Sequence, residues 1–164
     1  MRYIYLDSNI LVSYFATKDE REQKRKESIL NAFQIFASLK NVMLSASIWT
    51  ITEMVKILIN EKGMDRKQVS KIANDFIQDP KLGGSKVYII EGVHPRKRYD
   101  FDDFFHDIRE KMIIYSPGWG DAMHVVIMKN NGIKEILTLD GKDDFKIIPG
   151  ILVIHPKDVK NNEK

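Results

Sequence analysis

Tyr3-Ile4-Tyr5-Leu6-Asp7-Ser8-Asn9-Ile10-Leu11 begins with four apolar residues and turns polar at Asp7. A short continuous apolar run is the pattern of a strand buried on both faces of a parallel sheet. An acid at its C-terminal end stands where open α/β sheets place their sites. Ile10, Leu11, Tyr14 and Phe15 follow at helical spacing, which predicts a short helix directly after the strand.

The alternation continues down the chain. Val42-Met43-Leu44, Val87-Tyr88-Ile89-Ile90, Ile136-Leu137-Thr138-Leu139 and Ile151-Leu152-Val153-Ile154 read as four further strands. Ile29, Leu30, Phe33, Phe36 and Leu39 fit a helix, as do Ile51, Met54, Val55, Leu58 and Ile59. Ser45 or Ser47 is placed to cap the helix after the second strand. Asp65, with Gln68 three residues on, opens another helix, and Pro80, Gly83 and Gly84 break it. The charged and aromatic stretch from Arg96 to Ile114 is expected to be helical in its second half. A helix from about Asp121 to Asn130 stops at Asn131-Gly132. Strands alternating with helices predict an α/β fold with a largely parallel sheet. Residues 1–156 read as one domain and 157–164 as a polar, frayed tail.

Bulk properties exclude several classes. The 164 residues contain no cysteine, which removes disulfides, thiolate metal sites and thiol nucleophiles. No stretch is long and apolar enough to span a bilayer, and the N-terminus lacks the pattern of a secretory signal. These features predict a cytoplasmic protein without membrane contact. The net charge of +3 permits nucleic-acid binding without arguing for it. There is no phosphate-cradling glycine loop and no nucleophile-elbow serine.

Four acids carry the chemistry. Asp7 and Asp140 end predicted strands, Glu53 lies in the first two turns of the helix after strand two, and Asp121 sits at the start of the late helix. In a parallel sheet these positions all lie toward the carboxyl edge. Each acid alone is ordinary, since an Asp at a strand end or helix start usually caps a turn. Together they would repel one another unless some protonate or a cation neutralises them. Oxygen donors without cysteine favour hard ions, Mg²⁺ or Mn²⁺.

At these residues the sequence resembles the PIN-domain nuclease family. Tyr5-Leu6-Asp7-Ser8-Asn9-Ile10-Leu11 is similar to its opening motif, and Ser45-Ala46-Ser47 followed by Glu53 to its second acidic segment. Gly120-Asp121-Ala122-Met123-His124 is similar to its Asp-Ala helix start. Leu137-Thr138-Leu139-Asp140, Asp144-Phe145 and Pro149 to Ile154 are similar to its closing segment. The resemblance runs from Met1 to about Pro156. It implies a three-layer α/β/α fold with a five-stranded, mainly parallel sheet, and Mg²⁺- or Mn²⁺-dependent endonucleolytic cleavage of RNA. It implies Asp7, Glu53, Asp121 and Asp140 as catalytic metal ligands. Asn9, Thr138 and Asp144 would hydrogen-bond those ligands or support them. Compact members resemble the VapC-like toxin ribonucleases, which implies an antitoxin partner beside the RNA substrate. The spacing of Asp140-Gly141-Lys142-Asp143-Asp144-Phe145 is longer than the family's, so Asp143 or Asp144 stands as a sharer of Asp140's role.

Competing readings stay open at this point. One is a non-catalytic PIN-fold module that binds RNA or regulates. Another is a different Mg²⁺ enzyme on a similar sheet, such as a phosphatase, although Asn9 stands where a second Asp would be needed. His124, one turn beyond Asp121, reads by default as a packed or structurally hydrogen-bonded residue. Trp49, one turn before Glu53, reads as a core or interface aromatic before a base-stacking one. The Lys18–Lys26 run reads as a solvated helix face. Arg96-Lys97-Arg98 with Tyr99, Phe101, Phe104 and Phe105 mixes basic and aromatic residues, but Asp100, Asp102, Asp103 and Asp107 interrupt it. That segment serves equally well as cover for the core or as the interface of a homodimer.

Overall fold

The computed structural model describes residues 1–16, 20–91, 101–115, 118–140, 145 and 148–160. Its strands are β1 Arg2–Leu6, β2 Val42–Ser47, β3 Lys81–Leu82, β4 Ser85–Ile90, β5 Glu135–Leu137 and β6 Leu152–Ile154. Its helices are α1 Ser8–Phe15, α2 Glu20–Ser38, α3 Ile48–Asn60, α4 Arg66–Gln78, α5 Phe101–Tyr115 and α6 Trp119–Asn130. The sheet order is β3-β4-β2-β1-β5-β6.

The pairs β1–β2, β1–β5, β2–β4 and β5–β6 are all parallel, so the five strands read from the sequence form one parallel sheet. A sixth strand, β3, adds an antiparallel pair, Lys81 with Lys86 and Leu82 with Ser85. It lies where the sequence shows only helix breakers. Gly83 and Gly84 have φ of +56° and +83°, the left-handed conformation that a two-residue hairpin needs at both loop positions. The glycines that end α4's pattern therefore also turn a hairpin. Among the described residues, β5 stops at Leu137, so Asp140 lies three residues beyond the strand rather than at its end.

Alternation along β1 divides the core. Ile4 and Leu6 face one cluster, with Ile10 and Leu11 of α1, Phe33 of α2, Met54 of α3 and Phe76 of α4. Tyr5 faces the other, with Ile108 of α5 and Val125 and Met128 of α6. Helices thus cover both faces, giving the three-layer α/β/α arrangement. Side chains successive along a strand point to opposite faces, so a strand covered on both sides needs no polar positions.

The caps anticipated from the sequence are present. Ser47 accepts from the Thr50 backbone N–H, and Thr50 Oγ1 accepts from the Ser47 N–H, which fixes the start of α3. Asp65 accepts from Lys67 N and Gln68 N at the start of α4. The charged run after Lys18 lies mostly exposed on α2, with the exception of buried Glu22, which pairs with Lys62. No helix among the described residues is long and apolar enough to cross a membrane.

Candidate active site

Asp7 leaves the end of β1 and is only 4% exposed. It is the N-cap of α1, its Oδ1 accepting from the Ser8 backbone N–H at 2.6 Å. The ordinary capping role therefore holds, but it uses one oxygen only. Oδ2 accepts from Thr138 Oγ1 at 2.6 Å and from Asn9 Nδ2 at 2.8 Å. Asn9 Nδ2 also donates to Thr138 Oγ1, and Asn9 Oδ1 accepts from the Leu139 N–H. The Asp140 N–H donates to Thr138 Oγ1 as well. Fully buried Thr138 thus spends its one proton on Asp7 and both lone pairs on neighbours. Asn9 and Thr138 thus both donate to Asp7 Oδ2.

Burial pushes the Asp7 carboxyl above the usual carboxylate range. The charge of His124 and the Thr138 hydrogen bond pull it down, and the charge of Asp140 adds to the rise. Asp140 is exposed, yet it acts on Asp7 across the site. Asp143 and Asp144, the residues that could share its role, lie outside the described residues.

Glu53 reaches the same place from the second turn of α3. Its Oε2 lies 2.7 Å from Nε2 of His124, and the same Nε2 is 3.6 Å from Asp7 Oδ1. A carboxylate only accepts, so Nε2 carries a proton and donates. On the ring's other side, Nδ1 lies 2.9 Å from Tyr5 Oη. That phenol also meets Ser47 Oγ at 2.6 Å and Thr50 Oγ1 at 2.8 Å. Burial, the largest influence on His124, favours the neutral ring. The Tyr5 oxygen, the Glu53 hydrogen bond and the Asp7 and Glu53 charges outweigh it, pushing the imidazolium's pKa up to about 10. The sequence reads His124 by default as packed or structurally hydrogen-bonded. It is buried and hydrogen-bonded to Tyr5 and to the predicted site acid Glu53, with Asp7 Oδ1 3.6 Å away.

Asp121 lies in the first turn of α6, three residues before His124 and so on a neighbouring helical position. The same turn carries Gly120, where a Cβ would collide with Glu53 Oε1. Glycine here leaves the tip of Glu53 in place: a side chain at 120 would make that carboxylate shift. Asp121 Oδ2 folds back to the α6 N-terminus, 3.3 Å from where a Cβ on Gly118 would stand. Trp49 is partly buried against the second core cluster, and its buried Nε1 has no hydrogen-bond partner among the described residues. Arg96-Lys97-Arg98 and Tyr99 lie outside the described residues.

Asp7, Glu53 and His124 are thus brought into direct reach, with Asp140 close enough to act by charge and Asp121 one turn away. Among the described residues, no three His, Asp or Glu side chains stand as a ready-made cage for a cation. The donor set nevertheless suits a hard divalent ion, because it is built of carboxylate oxygens and one of them, Asp7, is buried against its own ionisation.

A mostly parallel sheet between helices defines the class: this is the PIN-like fold. Among solved structures the chain is similar to VapBC2 from Rickettsia felis, bound to a DNA fragment from its promoter. That match has a TM-score of 0.61 and 19% identity over 94% of this chain and 98% of the other. It is also similar to VapC20 of Mycobacterium tuberculosis, a sarcin-ricin loop cleaving toxin, with a TM-score of 0.57 and 15% identity over 89% and 95%. A toxin-antitoxin complex from Klebsiella pneumoniae matches with a TM-score of 0.54 and 17% identity over 95% and 99%. No protein-family profile and no curated protein matches the sequence. The likeness carries the fold that the motifs anticipate.

Proposed function

We propose that this protein is a metal-dependent endoribonuclease, using Asp7, Glu53, Asp121 and Asp140 to hold Mg²⁺ or Mn²⁺, and that it is the toxin of a toxin–antitoxin pair. The observation that carries the reading is the setting of Asp7. A buried carboxylate at the carboxyl end of the central strand is held by Ser8, Asn9 and Thr138, with Glu53 2.7 Å from the imidazole that also approaches it. A protein that needed only a helix cap would not surround the capping residue with further acids.

Hydrolysis of a phosphodiester joins a water oxygen to phosphorus and breaks the bridging P–O bond, while the water's proton passes to a base and the departing oxygen takes up a proton from solvent. When bound, a divalent ion lowers the pKa of water and neutralises charge on the phosphate. The protein's own part is to hold the carboxylates where they can bind the ion and receive that proton. Asn9 and Thr138 keep Asp7 Oδ2 oriented, and the Ser8 N–H does the same for Oδ1. Without a cation, clustered carboxylates would repel a phosphate, which supports the requirement for one. An antitoxin partner is supported by the solved neighbours that are toxin–antitoxin assemblies.

The test is cleavage of labelled single-stranded and structured RNA with Mg²⁺, Mn²⁺ or EDTA, beside Asp7→Asn and Asp121→Asn. Metal-dependent cutting by the wild type, lost in both variants, is the expected result. Equal binding by all three with no cutting would replace this reading with the non-catalytic RNA-binding module.

A further inference from the structure

The geometry points to Tyr5 and His124 as positioning residues that fix the Glu53 carboxylate for cation binding. This rests on the reading of the acidic cluster as a cation site.

The chain of contacts is continuous and buried. Ser47 and Thr50 clamp the start of α3 by their reciprocal cap and both also meet Tyr5 Oη. Tyr5 Oη meets His124 Nδ1, and His124 Nε2 donates to Glu53 Oε2. The Tyr5 side chain is fully buried and His124 is 1% exposed. The relay thus ties β1, β2 and α6 to a side chain on α3. Gly120 leaves room on the other side of Glu53, where a Cβ would meet Oε1.

A glutamate with three free torsions does not hold one orientation unaided. Here one oxygen is bound to a ring that is itself bound at its far nitrogen, which removes both the rotation of the ring and that of the carboxylate. Packing alone does not require this arrangement. Ile4 and Leu6 flank Tyr5 on β1 and fill their side of the core as aliphatics, and a phenylalanine would fill Tyr5's position equally well. The phenol oxygen is accounted for by the polar chain it sustains, and that chain ends at an acid of the site. Partners that orient a ligand commonly change metal affinity by about 10–100-fold when removed.

The experiment measures Mn²⁺ binding to the full chain, with no RNA present, by the paramagnetic resonance signal of the free ion. Wild type is compared with Asp7→Asn, His124→Leu, His124→Gln and Tyr5→Phe, and each is melted to verify folding. Glutamine places an amide nitrogen near the position of Nε2, and phenylalanine keeps the buried ring of Tyr5. The expected result is binding weakened about tenfold in His124→Leu, less in Tyr5→Phe, and restored to within about threefold of wild type in His124→Gln. A residue that only packs would lower the melting temperature without this rescue of affinity. Unchanged or tighter binding in folded His124→Leu and Tyr5→Phe, with binding still lost in Asp7→Asn, overturns the positioning role alone. Wild-type binding in Asp7→Asn overturns the cation site and the positioning role together.

Discussion

Thr138 Oγ1 donates to Asp7 Oδ2 at 2.6 Å across 131 positions of sequence. The same oxygen accepts from Asn9 Nδ2 and from the Asp140 N–H. Thr138→Val keeps the shape and removes all three bonds, leaving buried donors and a buried carboxylate without it. A loss of about 1–3 kcal/mol in urea denaturation is expected. Thr138→Ser, which keeps the hydroxyl, should stay within about 1 kcal/mol of wild type. Equal stability of the valine variant and wild type would contradict the account of how Asp7 is held.

Gly120→Ala tests the approach of α6 to α3. Alanine is the better helix former, by about 1 kcal/mol, so helix propensity favours the variant. Its Cβ would strike Glu53 Oε1 and push that carboxylate away from His124. RNA cleavage is expected to fall by about 10–100-fold, with a helical circular-dichroism spectrum retained. Undiminished cleavage would mean that Glu53 can work from another position.

The metal-free protein should lose stability as alkali is added. The folded pKa of His124 is raised to about 10 against an ordinary value of 6.5. Its contribution is therefore complete below about pH 6.5 and lost as pH rises through about 10. Asp7, also raised, acts in the same sense at lower pH: its contribution is complete below the ordinary value of 3.8 and lost through its raised value. Denaturation in EDTA from pH 6 to 10 should show wild type falling relative to His124→Gln, by up to about 1.4 kcal/mol per pH unit. Parallel curves for the two proteins would remove the imidazolium from the account.

Arg2 and Glu135 provide the contrast. Arg2 Nε and Nη2 donate to Glu135 at 2.6–2.9 Å, a two-pronged pair between β1 and β5 at the other end of the strand from Asp7. The Arg2 side chain is 42% exposed, so solvent screens the pair. Arg2→Ala should cost no more than about 1 kcal/mol, an effect that shrinks in high salt, and should leave metal binding unchanged. A large loss of metal affinity would show coupling along β1 that the contacts do not suggest.

Five strands were legible because each is a short unbroken apolar run, as Tyr3 to Leu6 and Val87 to Ile90 show, even where Tyr3 and Tyr88 face solvent. The caps Ser47 and Asp65 were legible because a cap is local chemistry. β3 was not, because two residues beside Gly83 and Gly84 carry no period, and their pairing is decided by what the hairpin packs on. The role of His124 was hidden for a related reason. α6 buries Ala122, His124, Val125, Val126, Ile127 and Met128, so its pattern marks no single inner face.

The sequence by itself determined the alternation of strand and helix and placed Asp7 at the end of β1 and Asp121 in the first turn of α6, because periodicity and capping act over a few residues. Only the tertiary structure decided that Glu53 meets His124, that Tyr5 sustains the imidazole, and that Gly120 leaves the room for it. Those contacts depend on how α3 and α6 rotate and approach across the sheet, and that is set by the packing of two cores rather than by any local run of residues.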